Sequence, residues 1–242
     1  MGKRVQTAQK TYGKVWRIMD IHYLGHSAFE IITKGKKVLI DPFLVCVPNY
    51  RPENISDIFV THGHGDHLGS AVEISARVGA PITAIFELAN YCAKKGASAI
   101  DMGLGSWREY SWGRAILVPA FHSSTTPDGQ YGGCPCGVVM EIEGRKIYHA
   151  GDTCLNSEMK TIGELYSPEI VMLPIGGKYT MDIEHAAKAA EWLRATVVIP
   201  MHYNTFDPIK VDIEEFKRQI RETGKIPAVI PVDGVLPNVL NG

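Results

Sequence analysis

Residues 62–67 read His-Gly-His-Gly-Asp-His, so three imidazoles and a carboxylate are delivered within six consecutive positions. They follow the apolar, β-branched run Ile58–Thr61, which reads as a strand. Side chains two apart at a strand end point the same way, so His62 and His64 can share one ion. Gly63 and Gly65 are expected to permit a tight turn that carries Asp66 and His67 round to a second position. Crowded imidazoles beside a carboxylate would be strained and poorly solvated without a cation, which makes a metal the natural occupant. A chain that carries this segment must bring further ligands to it from elsewhere.

Three candidates stand directly after strand-like runs: His122 after AILVPAF, Asp152 after RKIYHAG, and His202 after TVVIPM. Loops at the carboxyl ends of strands build the sites of α/β proteins, so the repetition points to one shared site. The remaining histidines, among them His22, His149 and His185, read as ordinary surface or satisfied core residues.

The strand-like runs are Ile21–Leu24, Phe29–Ile32, Val38–Ile40, Ile58–Thr61, Ile82–Ile85, Ala115–Ala120, Val138–Ile142, Lys146–His149, Ile170–Leu173, Val197–Pro200 and Val229–Val232. Helical spacing interrupts them near Leu68–Val78, Leu88–Lys95, Asn156–Ile162, Ile183–Arg194 and Ile213–Glu222, with Asp182 suited to cap the fourth. This alternation fits a layered α/β protein whose halves divide near Gly105. The glycine-dense segment Thr125–Gly137 is expected to rim a site.

Charge narrows the partners. The chain has 25 Lys+Arg and 26 Asp+Glu, yet residues 1–18 hold five bases and no acid, leaving 20 against 26, or −6, for the rest. An acidic body argues against nucleic acid as the main partner, since that affinity rests on clustered cations. The longest apolar runs are about seven residues, too short to cross a bilayer, and residues 1–18 lack the apolar stretch of a secretory signal. Cytoplasmic location and reduced cysteines follow as expectations for Cys46, Cys92, Cys134, Cys136 and Cys154. Cys134-Pro-Cys136 alone is weak as a metal or redox motif.

The sequence resembles the metallo-β-lactamase fold superfamily, whose H-x-H-x-D-H signature is met by residues 62–67 and followed in order by His122, Asp152 and His202. LGHSAFEI, LIDPF, IYHAGDT, LPIGG and IPMHYNTF extend the likeness from residue 20 to about 232. It is similar in particular to metal-dependent hydrolases related to L-ascorbate-6-phosphate lactonase. The resemblance implies a four-layer αββα sandwich, with residues 19–242 forming one domain of two similar halves behind a basic extension, residues 1–18. It implies a binuclear site in which His62, His64 and His122 bind one ion, Asp66, His67 and His202 the other, and Asp152 bridges them. Asp66 is the expected catalytic residue, while His26 and Asp41 support the ligands or face substrate.

The expected activity is hydrolysis of a small ester, lactone or phosphorylated molecule, with Zn2+ first and Mn2+ or Fe2+ as alternatives. A nucleic-acid phosphodiesterase and a metal-dependent metabolite sensor are the competing readings. A zinc β-lactamase fits less well, because Asp152 stands where a second-site cysteine is common and Cys154 lies two residues late. A diiron oxygen-reducing role is disfavoured by Gly65-Asp66 in place of glutamate and by the lack of a following flavin domain. No membrane partner is expected, and homo-oligomerisation stays open.

Overall fold

A computed structural model describes residues 19–236; the basic extension over residues 1–18 lies outside them. Strands β1 (Met19–Gly25), β2 (Ala28–Thr33), β3 (Lys36–Ile40), β4 (Ile55–Phe59), β5 (Ile82–Ala84) and β6 (Ala99–Asp101) build one sheet. Strands β7 (Trp107–Tyr110), β8 (Gly113–Pro119), β9 (Cys136–Ile142), β10 (Arg145–His149), β11 (Ile170–Pro174), β12 (Val197–Met201) and β13 (Ile226–Pro227) build the second. A last strand, β14 (Gly234–Val235), returns to pair antiparallel with β1.

The two sheets repeat one plan. In the first, β14-β1-β2-β3 are joined antiparallel and β3-β4-β5-β6 parallel. In the second, β7-β8-β9-β10 are antiparallel and β10-β11-β12-β13 parallel. Parallel neighbours need crossovers, and helices supply them: α1 (Gly65–Leu68), α2 (Ala71–Val78) and α3 (Phe86–Lys94) in the first half, α4 (Glu158–Leu165), α5 (Ile183–Trp192) and α6 (Ile213–Glu222) in the second.

Side-chain alternation makes the layers. Ile21, Phe29, Ile31, Val38, Ile40 and Phe59 pack with the second sheet in the larger core. Their neighbours Ala28, Leu39 and Ile58 point the other way and pack against Ile74, Leu88 and Cys92 of the helices. The second sheet is covered in turn by Ala186, Ala189, Ala190, Phe216 and Ile220. This is the αββα sandwich. Among the described residues no helix is long and apolar enough to cross a membrane.

Two expectations change. The helix read from Leu68 is broken at Gly69, whose φ of 45° lets it lie against the Pro42 carbonyl and the Phe43 Cα, where a Cβ would collide. The run Val229–Val232 is not a strand; pairing with β12 occurs earlier, at Ile226 and Pro227. Pro231 can offer no N–H there, and the chain instead turns at Val232 and Asp233 towards β14. The short strands β6, β7 and β14 carry too few apolar residues to be legible in advance.

Close approach of α4 to α5 depends on Gly163, where a Cβ would meet the Trp192 carbonyl oxygen and the Leu193 Cα. Gly163→Ala is expected to cost about 1–3 kcal/mol through overpacking and to lower the melting temperature by several degrees. Thermal melts compared at equal metal content check this, and an unchanged midpoint would refute the packing argument.

Candidate metal centre

The ends of the central strands deliver the site. His26 sits in the β1–β2 turn, Asp41 directly after β3, residues 62–67 after β4, His122 after β8, Asp152 after β10, and His202 directly after β12. Parallel order on both sheets aims these ends the same way, which is why residues 176 apart in sequence, His26 and His202, have ring centroids 4.3 Å apart. His202 N–H also donates to the His26 carbonyl at 2.7 Å, tying the two halves together. Both residues, like Asp41, have positive φ, near 54°, 54° and 46°, a conformation non-glycine residues adopt only when the surroundings hold it.

Geometry groups the side chains into overlapping sets whose ligand atoms lie within 4.8 Å of one another: His62, His64 and His122; His26, Asp66, His67 and His202; and His62, His67 and Asp152. Every residue expected of the two ligand sets is therefore brought to one place, and His26 joins the second group. Asp152 stands between the groups, with Oδ1 3.2 Å from His67 Nε2 and Oδ2 3.0 Å from His202 Nε2 and 3.5 Å from His122 Nε2.

The turn that arranges residues 62–67 differs from expectation. Neither Gly63 nor Gly65 has positive φ; the swing is made by α1, with His64 extended at its N-cap. Space does not require glycine at Gly63, where a Cβ would rest about 3.4 Å from Ser124, Thr125 and Thr126 atoms, at ordinary contact distance. The Gly63 N–H donates to Ser124 Oγ at 3.1 Å, and Ser123 Oγ lies 3.3 Å from His64 Nε2. The Ser123–Gly133 loop thus rims the site.

Hydrogen bonds fix the tautomers. Asp41 is fully buried; its Oδ1 accepts from the Thr61 N–H at 2.8 Å and its Oδ2 from the Thr61 hydroxyl at 2.7 Å and from His67 Nδ1 at 2.8 Å. Because the Thr61 proton is given to Asp41, the Thr61 oxygen can only accept from His62 Nδ1, 3.1 Å away. Both His62 and His67 are left with Nε2 free to coordinate. His62 Nε2 therefore accepts from His64 Nδ1 at 3.0 Å, and the Ser123 hydroxyl lies 3.3 Å from His64 Nε2. A cation there would take the place of that shared proton and leave both nitrogens to coordinate. His67 Nε2 and Asp152 Oδ1 face each other at 3.2 Å, and neither makes a hydrogen bond of acceptable geometry there or elsewhere, which in a native interior suits an ion or water at this position. The donor set fits divalent metal.

Protonation follows the same division. Burial holds His62 well below the ordinary histidine range and also lowers His64, His122 and His26. These imidazoles are neutral and ready to donate a lone pair. Burial also opposes charge on His67 and His202, but the nearby carboxylates win: Asp152 and Asp41 hold His67 well above its usual value, and Asp152 lifts His202 to about 9. Burial likewise penalises Asp66, yet His202 and His26 outweigh it and keep Asp66 ionised, while His67 and His202 do the same for Asp152. Two imidazolium protons occupy the positions that cations would take.

Sequence reasoning did not single out Thr61, Ser123, Ser124 or Thr205, the last of which sits 3.1 Å from His26 Nδ1. Only the position of Thr61, immediately before the histidines, could have marked one of them. His149 is the satisfied core residue expected, with Nε2 donating to the Ser27 carbonyl at 2.9 Å and Nδ1 accepting from the Gly151 N–H at 3.2 Å. His22 is half-buried near Glu30 and His185 is exposed on α5. All five cysteines are free; Cys136 is buried with its thiol donating to the Thr61 carbonyl, whereas Cys134 and Cys154 are exposed.

With metal removed, stability is expected to peak near pH 6.5. His67 and His202, with raised values, stabilise the fold below the unfolded-state value of about 6.5 and lose that contribution as pH rises through their folded values. The lowered histidines have the opposite sign, since below about 6.5 the unfolded chain takes up protons that the fold rejects. Melting midpoints in chelator from about pH 5 to 8.5 should trace a maximum. A monotonic rise to pH 8.5 would contradict the assignment of His67 and His202 as cations.

Comparison with known proteins gives a consistent set of matches. The profile described as Beta-lactamase superfamily domain matches residues 20–202. A UPF0173 metal-dependent hydrolase of Staphylothermus marinus is 48% identical over 221 residues, covering 87% of this chain and 94% of the relative. One from Thermus thermophilus is 46% identical over 212 residues, covering 86% and 93%. The solved structure of Igni18, a metallo hydrolase of Ignicoccus hospitalis, superposes with a TM-score of 0.81 at 37% identity, covering 90% of this chain and 97% of that one.

Proposed function

The chain belongs to the beta-lactamase superfamily as one of its metal-dependent hydrolases, and from that premise we propose that it hydrolyses a small ester, lactone or phosphorylated substrate at a binuclear centre. The observation that carries the reading is the position of Asp152, whose carboxylate lies within 3.5 Å of His122 from the first set and within 3.2 Å of His67 and 3.0 Å of His202 from the second. In this reading His62, His64 and His122 hold one divalent ion, Asp66, His67 and His202 the second, and Asp152 both. Zinc is the first expectation for an imidazole-rich set, and the carboxylates also suit Mn2+ or Fe2+. Such ions supply Lewis acidity and bring the pKa of a water towards neutrality.

The chain's own groups do the rest. Asp66 is ionised and about a third exposed, so a carboxylate oxygen reaches the cleft where water and substrate meet. It is placed to orient the attacking water and to accept its proton as oxygen bonds to the acyl carbon. When the carbon–oxygen bond to the leaving group breaks, the same proton can pass from Asp66 to the departing alkoxide, yielding acid and alcohol. His26 holds Asp66 in position for both proton transfers. As a neutral imidazole it accepts from the Thr205 hydroxyl through Nδ1 and donates through Nε2 to Asp66 Oδ2 at 3.1 Å. Asp41 and Thr61 hold His62 and His67 in the coordinating tautomer, a role in which loss of the outer partner typically costs about 10–100-fold in metal affinity or activity.

Metal analysis with steady-state kinetics tests the proposal. The wild-type protein is expected to bind two equivalents per chain. Asp66→Asn should lower kcat by about 10²–10⁴-fold, and His62→Ala should remove the equivalent held by the first set. Saturation at one equivalent, or an Asp66→Asn enzyme within tenfold of wild type, would overturn the binuclear mechanism.

A further inference from the structure

Beside the metal centre lies an open cavity of about 380 Å³ lined by Phe43, Leu44, Val45, Gly65, Gly69 and Ser70. Two further cavities, of about 430 and 410 Å³, lie between α5 and α6 and under the Leu44–Pro52 loop; the second shares Leu44 and Ser70 with this one, but neither is lined by a residue of α1. The smallest of the three shares its wall with the site itself. Gly65 and Gly69 begin and follow α1, the helix that carries Asp66 and His67. Phe43 stands edge-on to the His26 ring at 5.5 Å, and Phe206, also 5.5 Å from His26, flanks it at 6.3 Å.

The wall is fixed to the ligands. Ser70 N–H donates to the Pro42 carbonyl at 3.0 Å, and Gly69 packs so closely on Pro42 and Phe43 that no side chain fits. The Pro42–Val45 segment and α1 therefore form one piece, and a group resting on Phe43, Leu44 and Val45 is held in register with Asp66. Val45 is 56% exposed and Phe206 43% exposed, large apolar surface left uncovered at the mouth of a polar site. None of the six lining residues bears a charge, and the Ser70 hydroxyl is their only side-chain hydrogen-bonding group. A phosphate or carboxylate seated there would lose water and gain no cation, whereas an alkyl chain would gain by burial. A shallow, open recess whose side chains are apolar, beside a few convergent polar groups, has the make-up of a substrate subsite.

We infer that this cavity takes the apolar acyl chain of an uncharged ester or lactone, and that Phe43, Leu44 and Val45 select substrates by that chain. This rests on the hydrolytic reading above and narrows it, because it places the phosphorylated class outside the preferred substrates. The carbonyl would then face Asp66 and the ligand sets while the chain runs outward along Val45.

The test uses the zinc-loaded full chain and the straight-chain carboxylates acetate, butyrate, hexanoate and octanoate, which keep the head group constant while the tail grows. By calorimetry, affinity should rise about threefold per buried methylene until the recess is filled, making octanoate at least about tenfold tighter than acetate. Val45→Asp, an exposed position where the fold tolerates a charge, should bring that ratio close to one, and Val45→Leu should keep it. An affinity independent of chain length, or a gradient that Val45→Asp leaves intact, overturns the subsite. Turnover of p-nitrophenyl acetate, hexanoate and bis(p-nitrophenyl) phosphate separates the two claims. A binding gradient with no ester turned over refutes the hydrolytic reading and leaves the subsite standing; a phosphodiester turned over faster than the hexanoate ester refutes the subsite.

Discussion

One buried carboxylate, Asp41, governs the arrangement of the site. Through its Oδ2 it receives the Thr61 hydroxyl and the His67 Nδ1 proton, and through Thr61 it also dictates that His62 donates from Nδ1. A single group thus sets which nitrogen, Nε2, is left to the cluster by His62 and by His67. Asp41 can do this only because β3 and β4 are parallel neighbours whose carboxyl ends meet, with the Asp41 N–H bonded to the Phe59 carbonyl and the Thr61 N–H bonded back to Asp41. Its positive φ of 46° turns the side chain under the histidines instead of along the strand. The desolvation of a fully buried carboxylate is severe, and it is offset here by three donors and the His67 charge.

The second half of the molecule contributes by the same logic but with fewer residues. Its parallel strands β10, β11 and β12 lead into the loops that hold Asp152, Gly176 and His202, so the repeated sheet plan presents two sets of strand ends to one cleft. Gly176 is close enough to the His202 carbonyl that a side chain would collide with it. The hydrogen bond from His202 N–H to the His26 carbonyl, together with His149 spanning from Ser27 to Gly151, stitches the halves directly beneath the ligands. The balance of charge is local as well: Asp41, Asp66 and Asp152 face His67 and His202, and replacing those two protons with divalent ions would leave the carboxylates better neutralised.

Much of this was readable from residue order. The six-residue histidine segment and three ligands each following an apolar run specify which strand ends must meet, and every one of those side chains lies in the cluster. Helix α5 was legible because Asp182 caps it by accepting the His185 N–H and its alanines face the core. What stayed hidden has physical reasons. Strand β7 has two exposed charged residues between half-buried Trp107 and Tyr110, and β6 has only three residues, so neither leaves an apolar signature. The role of Gly63 comes from its N–H bond to Ser124, a contact 61 residues away that no local pattern encodes. Thr61 and Thr205 act through single hydroxyls whose partners are chosen by tertiary packing.

The apolar recess shows why the ligands alone underdetermine the substrate. With metal bound as proposed, residues 62–67 and their partners would set where a carbonyl or phosphoryl oxygen is polarised, and nothing in that set distinguishes one from the other. The distinction arises one layer out, where Phe43, Leu44 and Val45 follow Asp41 immediately after Pro42 in sequence. The same turn that buries the Asp41 carboxylate beneath His67 therefore projects an uncharged wall into the mouth, so on the proposed reading the set of the histidines and the choice of substrate would depend on one short segment. A substitution there that altered the path of the backbone would be felt at both ends: at His67 through the Asp41 hydrogen bond, and at the mouth through the position of Val45.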